Sequence, residues 1–118
     1  VSESGGLELG LQVTVAGATA RRTLLEVTLE LTNTGAAALA PGVFASELLV
    51  DGRPDPSWRL ALNGPIEPEL VELPPGRTAT LTREVGVAAL APGAHHVAVR
   101  LGEQLSPTVE LEVEQATE

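Results

Sequence analysis

The stretch Leu25-Glu26-Val27-Thr28-Leu29-Glu30-Leu31-Thr32-Asn33-Thr34-Gly35 decides the fold. Its apolar residues fall on every second position, with Glu or Thr between them. That spacing puts the four on one face of a β-strand, whereas a helix would scatter them around its circumference. Asn33-Thr34-Gly35 ends the run, because asparagine and glycine tolerate the backbone angles of a tight turn.

The alternation extends both ways. Upstream, Leu7, Leu9, Leu11, Val13 and Val15 alternate with Glu8, Gly10, Gln12 and Thr14 until Ala16-Gly17-Ala18 interrupts. Downstream, Phe44, Ser46, Leu48 and Val50 lead to Asp51-Gly52, a strong hairpin-turn dipeptide, and their shared parity places Phe44 in the core. A shorter strand is expected over Trp58, Arg59, Leu60, Ala61 and Leu62, and a short edge piece from Ile66 to Leu70, kept off a central position by Pro65 and Pro68.

After Leu73-Pro74-Pro75-Gly76 comes a strand from Thr78 to Val87, with Ala79, Leu81, Val85 and Val87 on one parity. Arg83 shares that parity, so either a bulge shifts the register or the arginine sits at the rim. Leu90-Ala91-Pro92-Gly93 introduces His95, Val97, Val99 and Leu101 on one face. The last strand turns Leu105, Pro107, Val109, Leu111 and Val113 inward and Glu110, Glu112 and Glu114 outward. Regular short strands without a convincing helix make a sandwich or small barrel.

The 118 residues fit one domain, with a core at 7–114, a flexible segment at 1–6 and a tail at 115–118. The chain opens at Val1, as a processed product or an excised piece would. Sixteen acidic residues face seven arginines and no lysine, a formal charge of −9. Such a surface repels phosphate backbones and anionic headgroups, so nucleic acid is not an expected partner. No apolar run approaches the roughly 20 residues of a membrane helix, so no membrane insertion is expected.

Three segments resemble a recurring bacterial immunoglobulin-like pattern: residues 25–35, the Leu73-Pro74-Pro75-Gly76 turn, and Leu90-Ala91-Pro92-Gly93-Ala94-His95. In such domains a strand ends in an asparagine turn and a later Leu-Pro-Gly corner leads into the penultimate strand. The likeness spans about residues 7–113, and it implies an all-β, immunoglobulin-like antiparallel β-sandwich of about seven strands. Among such families the chain looks most like the bacterial intracellular proteinase inhibitor group, through Asp51-Gly52 followed by Trp58. It is also similar to adhesion-type repeats. The corner usually carries tyrosine where this chain has His95.

Catalytic constellations are missing from the sequence. With no cysteine, and with His95 and His96 adjacent on a strand and therefore opposed, neither a triad nor a metal shell can be assembled, and no cofactor is expected. Asp51 and Asp55 lack the alternating ligands of a calcium loop, and turn formation explains them. His95 is expected at the corner in a structural role, with His96 facing solvent.

Candidate binding residues are Arg53, Trp58 and Arg59, since tryptophan and arginine are enriched at binding hot spots and Trp58 ends a proline-stiffened connection. A sandwich can equally bury its lone tryptophan. Pairing at an exposed strand edge is the other route to a protein partner or to self-assembly. The expectation is a non-enzymatic protein-binding, spacer or assembly module of an exported, periplasmic or cell-surface bacterial protein, with a cytoplasmic address also open. The rival is a proteinase inhibitor presenting the loop from Asp51 to Arg59.

Overall fold

A computed structural model describes residues 6–19, 21–63, 68–102 and 104–114. The chain is an all-β antiparallel sandwich. One sheet has the order β1-β2-β5, from Leu7–Ala18, Arg22–Asn33 and Thr78–Ala88. In the other, β6 (Gly93–Leu101) is central. On one side of β6 lie β3 (Glu47–Val50) and then β4 (Arg53–Pro54); on the other lie β7 (Gln104–Leu105) and β8 (Val109–Val113) in series. The strands expected from periodicity at Leu7–Val15, Leu25–Thr32, Leu48–Val50, Thr78–Val87, His95–Leu101 and Leu105–Val113 are there, with the last one split in two. Apart from Gly6, the expected loose ends lie outside the described residues.

The alternation in β2 does what its pattern requires: Leu25, Val27, Leu29 and Leu31 are fully buried, while Glu26 and Glu30 stay in water. Each buried leucine contributes about 2 kcal/mol through its lost apolar surface. Ala79, Leu81, Val85 and Val87 of β5 share this core, as do Val97 and Val99 of the facing sheet.

Four expectations are corrected. Residues 58–62 form no strand. Ser57–Ala61 is a helix, α1, entered from an Asx turn in which the Asp55 carboxylate accepts the Ser57 N–H at 2.9 Å. Helical spacing lets Trp58 and Leu62, four apart, share one buried face, while Leu60 is left 73% exposed. The expected edge piece fails likewise where it can be seen, since Pro68–Val71 is a second short helix, α2, and residues 64–67 lie outside the described residues.

Phe44 is not core either. A 3-10 turn at Val43–Ala45 breaks the strand parity, Val43 takes the buried place, and Phe44 is 55% exposed. Finally, Leu105 and Pro107, both expected inward, are exposed because the last strand is interrupted between them. Pro107 has no N–H to give a ladder, and Ser106 fills the gap, its hydroxyl accepting the Val99 N–H at 2.9 Å and its own N–H bonding Val99 O at 2.8 Å.

Asn33 ties the ends of the first sheet together. Its side chain has no exposed surface, and its Nδ2 donates to Ala37 O and Leu73 O, each at 2.9 Å. Its Oδ1 accepts the Gly35 N–H at 2.9 Å, and its backbone pairs with Arg77 O and the Gly76 N–H. The turn residue of the sequence is thus a buried, satisfied junction between the 34–37 and 73–77 crossings.

Asn33→Ala removes those side-chain bonds and strands buried carbonyls, so urea denaturation should show a loss of about 3 kcal/mol. A loss below about 1 kcal/mol would mean that water replaces the amide at little cost.

Candidate functional site

The expected binding residues do not converge. Trp58 is almost fully buried and donates its indole N–H to Ser46 Oγ at 2.9 Å, and Ser46 Oγ in turn donates to Val43 O at 2.6 Å. Of its two readings, core and contact residue, the structure shows core. Arg53 and Arg59 are both exposed. They line different open depressions, of about 540 and about 270 Å³, with Pro54, Asp55 and Pro56 bordering both.

Segment 51–59 is compact. Asp51 (φ 53°) and Gly52 (φ 84°) form the two-residue turn that joins Val50 to Arg53, with both central residues left-handed, as the twist of a tight hairpin demands. Asp55 serves the turn with both oxygens, Oδ1 at the start of α1 and Oδ2 toward the Ala88 N–H at 3.3 Å. Among the described residues no three His, Cys, Asp or Glu side chains gather as a metal site would need.

His95 completes that corner. Its Nδ1 lies 2.6 Å from Asp51 Oδ2 and its Nε2 lies 2.6 Å from Ala91 O. Both partners are acceptors, so the doubly protonated ring satisfies both contacts at once. The Asp51 carboxylate, and then the Ala91 carbonyl, hold the imidazole above its ordinary 6.5. In return, His95 and then the His96 N–H hold the Asp51 carboxyl below 3.8. His95 therefore ties the Ala91 carbonyl to the Asp51 turn.

The functional question turns on the strand edges. Odd-numbered residues of β2 pair toward β5, as the Asn33 N–H to Arg77 O bond shows, so the even-numbered residues of β5 turn their N–H and C=O groups outward. Side chains occupy several of these outward groups. Arg83 donates to Thr82 O at 2.9 Å, Arg22 donates to Gly86 O at 2.9 Å and to Ser57 Oγ, and Asp55 takes the Ala88 N–H. The β2–β5 register runs without a bulge, and the half-buried arginine sits at the rim, where its head caps the edge.

Two further edges are poor templates. β4 is two residues long and ends on Pro54, and the β7–β8 edge is broken at Pro107. Helices α1 and α2 pack against β5, and α1 also reaches β3, so they close that side of the sandwich.

Among the described residues, none of these devices reaches β1 over residues 9–15. The Thr34 N–H to Gly6 O bond (2.8 Å) fixes even-numbered residues as facing β2, so the odd ones face away. Leu7 O is taken by Gln104 Nε2 at 2.5 Å, and at the far end a bulge shifts the register between Val15 and Gly17. Between those stops, the outward N–H and C=O groups of Leu9, Leu11, Val13 and Val15 have no partner among the described residues, although β8 runs close by. This window, LGLQVTV, holds no charge and no proline. Leu9 and Leu11 are half-buried, and Val15 is 39% exposed.

Sequence reasoning named an open edge as a route to a partner without assigning the strand. The missing signal was the placement of the capping groups: Arg22, Asp55 and Arg83 come to β5 only through tertiary structure. Compared with known proteins, the chain matches no family model and no curated protein.

Because its folded value lies above the unfolded one, His95 contributes stability that is complete below 6.5 and lost as pH rises through the raised value. Asp51, held low, contributes above 3.8 and loses its part as pH falls through the lowered value. NMR titration should place the His95 midpoint above 6.5 and return it toward that value in Asp51→Asn; an unshifted midpoint in the parent chain would contradict the contact. The effect on folding should be small, since the carboxylate is 44% exposed and water screens it. Arg83→Val should raise self-association through β5, read by light scattering, while an unchanged scattering profile would show that the arginine is no edge cap.

Proposed function

We propose that this chain is a non-enzymatic protein-binding or assembly module that receives an extended segment of a protein partner at the β1 edge. The observation that carries the proposal is the contrast between edges: those of β5, β4 and β7–β8 are capped, shortened or broken, while the outward backbone groups of Leu9, Leu11, Val13 and Val15 in β1 have no partner among the described residues. Unpaired backbone groups give affinity to strand addition, and flanking side chains give it selectivity.

The Asn33 turn and the Leu90-Ala91-Pro92-Gly93 corner support kinship with bacterial immunoglobulin-like domains, and with it an exported or surface-attached setting. The rival inhibitor reading draws less support. Segment 51–59 folds into a tight hairpin and a helical turn with its tryptophan inside, and a protease needs an extended, protruding strand.

The test is a panel of extended 12-residue peptides selected against the immobilised domain, with NMR mapping of the binders. Peptides should perturb β1 and lose at least about tenfold affinity to Leu9→Pro, which deletes one outward N–H and keeps the bonds to β2, while Leu9→Ala binds like the parent. No binders, binders indifferent to Leu9→Pro, or binders mapping to Arg53 and Arg59 would overturn the proposal.

A further inference from the structure

The geometry points to a second copy of this chain as the strand that β1 receives, in an antiparallel pairing whose two-fold axis passes through Gln12. The inference rests on strand addition at β1 and goes beyond it by naming the partner and the register.

The register follows from parity. In an antiparallel pair, residues that exchange hydrogen bonds must both turn their backbone groups toward the partner, and on β1 those are the odd-numbered ones. The free odd residues are Leu9, Leu11, Val13 and Val15, bounded by the Gln104 contact and by the bulge. One two-fold register uses these four and no others: Leu9 opposite the second copy's Val15, and Leu11 opposite its Val13. Gln12 then meets its own copy across the axis.

Side-chain chemistry agrees with that register. On the inner face, Leu9 covers the exposed Val15 of the other copy, and the half-buried Leu11 stands opposite the buried Val13, so Leu9, Leu11 and Val15 of each chain, which keep apolar surface of their own, gain apolar neighbours from the other. On the outer face, the two Gln12 amides can bond reciprocally, Gly10 faces Thr14, and Glu8 faces Ala16, so no carboxylate stands opposite another. The contact is self-complementary, as a two-fold interface must be, and it joins two three-stranded sheets into one of six strands. Repulsion between two chains of charge −9 opposes association and is screened by salt.

Sedimentation equilibrium from about 10 μM to about 1 mM, the range in which so small an interface dissociates, should show a monomer–dimer equilibrium that tightens with added salt. Gln12→Glu sets like charges opposite each other at the axis on an exposed position and should weaken the dimer about fivefold, and Leu9→Pro should reduce it further. Since the chain has no cysteine, Gln12→Cys gives a single thiol, and its non-hydrogen-bonded partner lies about 4.5 Å away between Cα atoms, within disulfide reach. In a glutathione buffer Gln12→Cys should form covalent dimers much faster than Thr14→Cys, exposed on the same face of the same strand but off the axis.

A chain that stays monomeric at about 1 mM, or links equally fast through positions 12 and 14, overturns the second-copy assignment. If peptides still bind β1 in a Leu9-dependent way, that result leaves strand addition standing with a different partner. If the chain dimerises and neither Gln12→Glu nor Leu9→Pro weakens the dimer, the β1 register is wrong and the dimer lies elsewhere.

Discussion

Leu25, Val27, Leu29 and Leu31 project from β2 into the space between the sheets, and none keeps any exposed surface. β2 is the strand with neighbours on both sides in its sheet, and its twelve residues fix the register of β1 and β5. A slip of one residue would exchange that stripe for Glu26, Thr28 and Glu30, which no core could accommodate. The register in turn decides which backbone groups of the flanking strands face outward. The stripe thus sets the chemistry of both edges, and Asn33 locks its end against the two crossing loops.

The two sides of the sandwich are finished differently. On the β5 side, α1 and α2 cover the flank, Trp58 fills the space beneath Ser46, and Arg22, Asp55 and Arg83 occupy outward backbone groups. On the β1 side, the backbone polar groups of Leu9, Leu11, Val13 and Val15 face out beside the half-buried side chains of Leu9 and Leu11 and the exposed Val15. An uncharged open edge invites pairing with other chains. Its confinement between a capped carbonyl and a bulge limits the pairing to a defined length.

Period-two alternation made β1, β2, β5 and β8 legible in the sequence, because each has one face toward the core and one in water, and it held in β6 although Ala98 on its other face is also buried. It misled at Trp58-Arg59-Leu60-Ala61-Leu62, where a five-residue run satisfies strand parity and a buried helical face about equally. The Asx turn that leads into the helix, with Asp55 accepting the Ser57 N–H, lies just outside the run. Phe44 and Leu105 were misplaced for a related reason: parity does not carry through a 3-10 turn or across Pro107. The opposed histidines are legible in the sequence, His95 half-buried and His96 exposed, but the bond of His95 to Asp51 joins residues 44 apart in the chain. The edge site was the least legible, because a bare edge is defined by which long-range caps are absent from it.

Residue-resolved amide hydrogen exchange at low micromolar concentration tests the open edge most directly. Along β1, the amides of Gly10, Gln12 and Thr14, bonded to β2, should be protected, while those of Leu9, Leu11, Val13 and Val15 exchange quickly, giving an alternating profile. Uniform protection of both sets in the dilute chain would contradict the open edge and with it the functional site assigned to this domain.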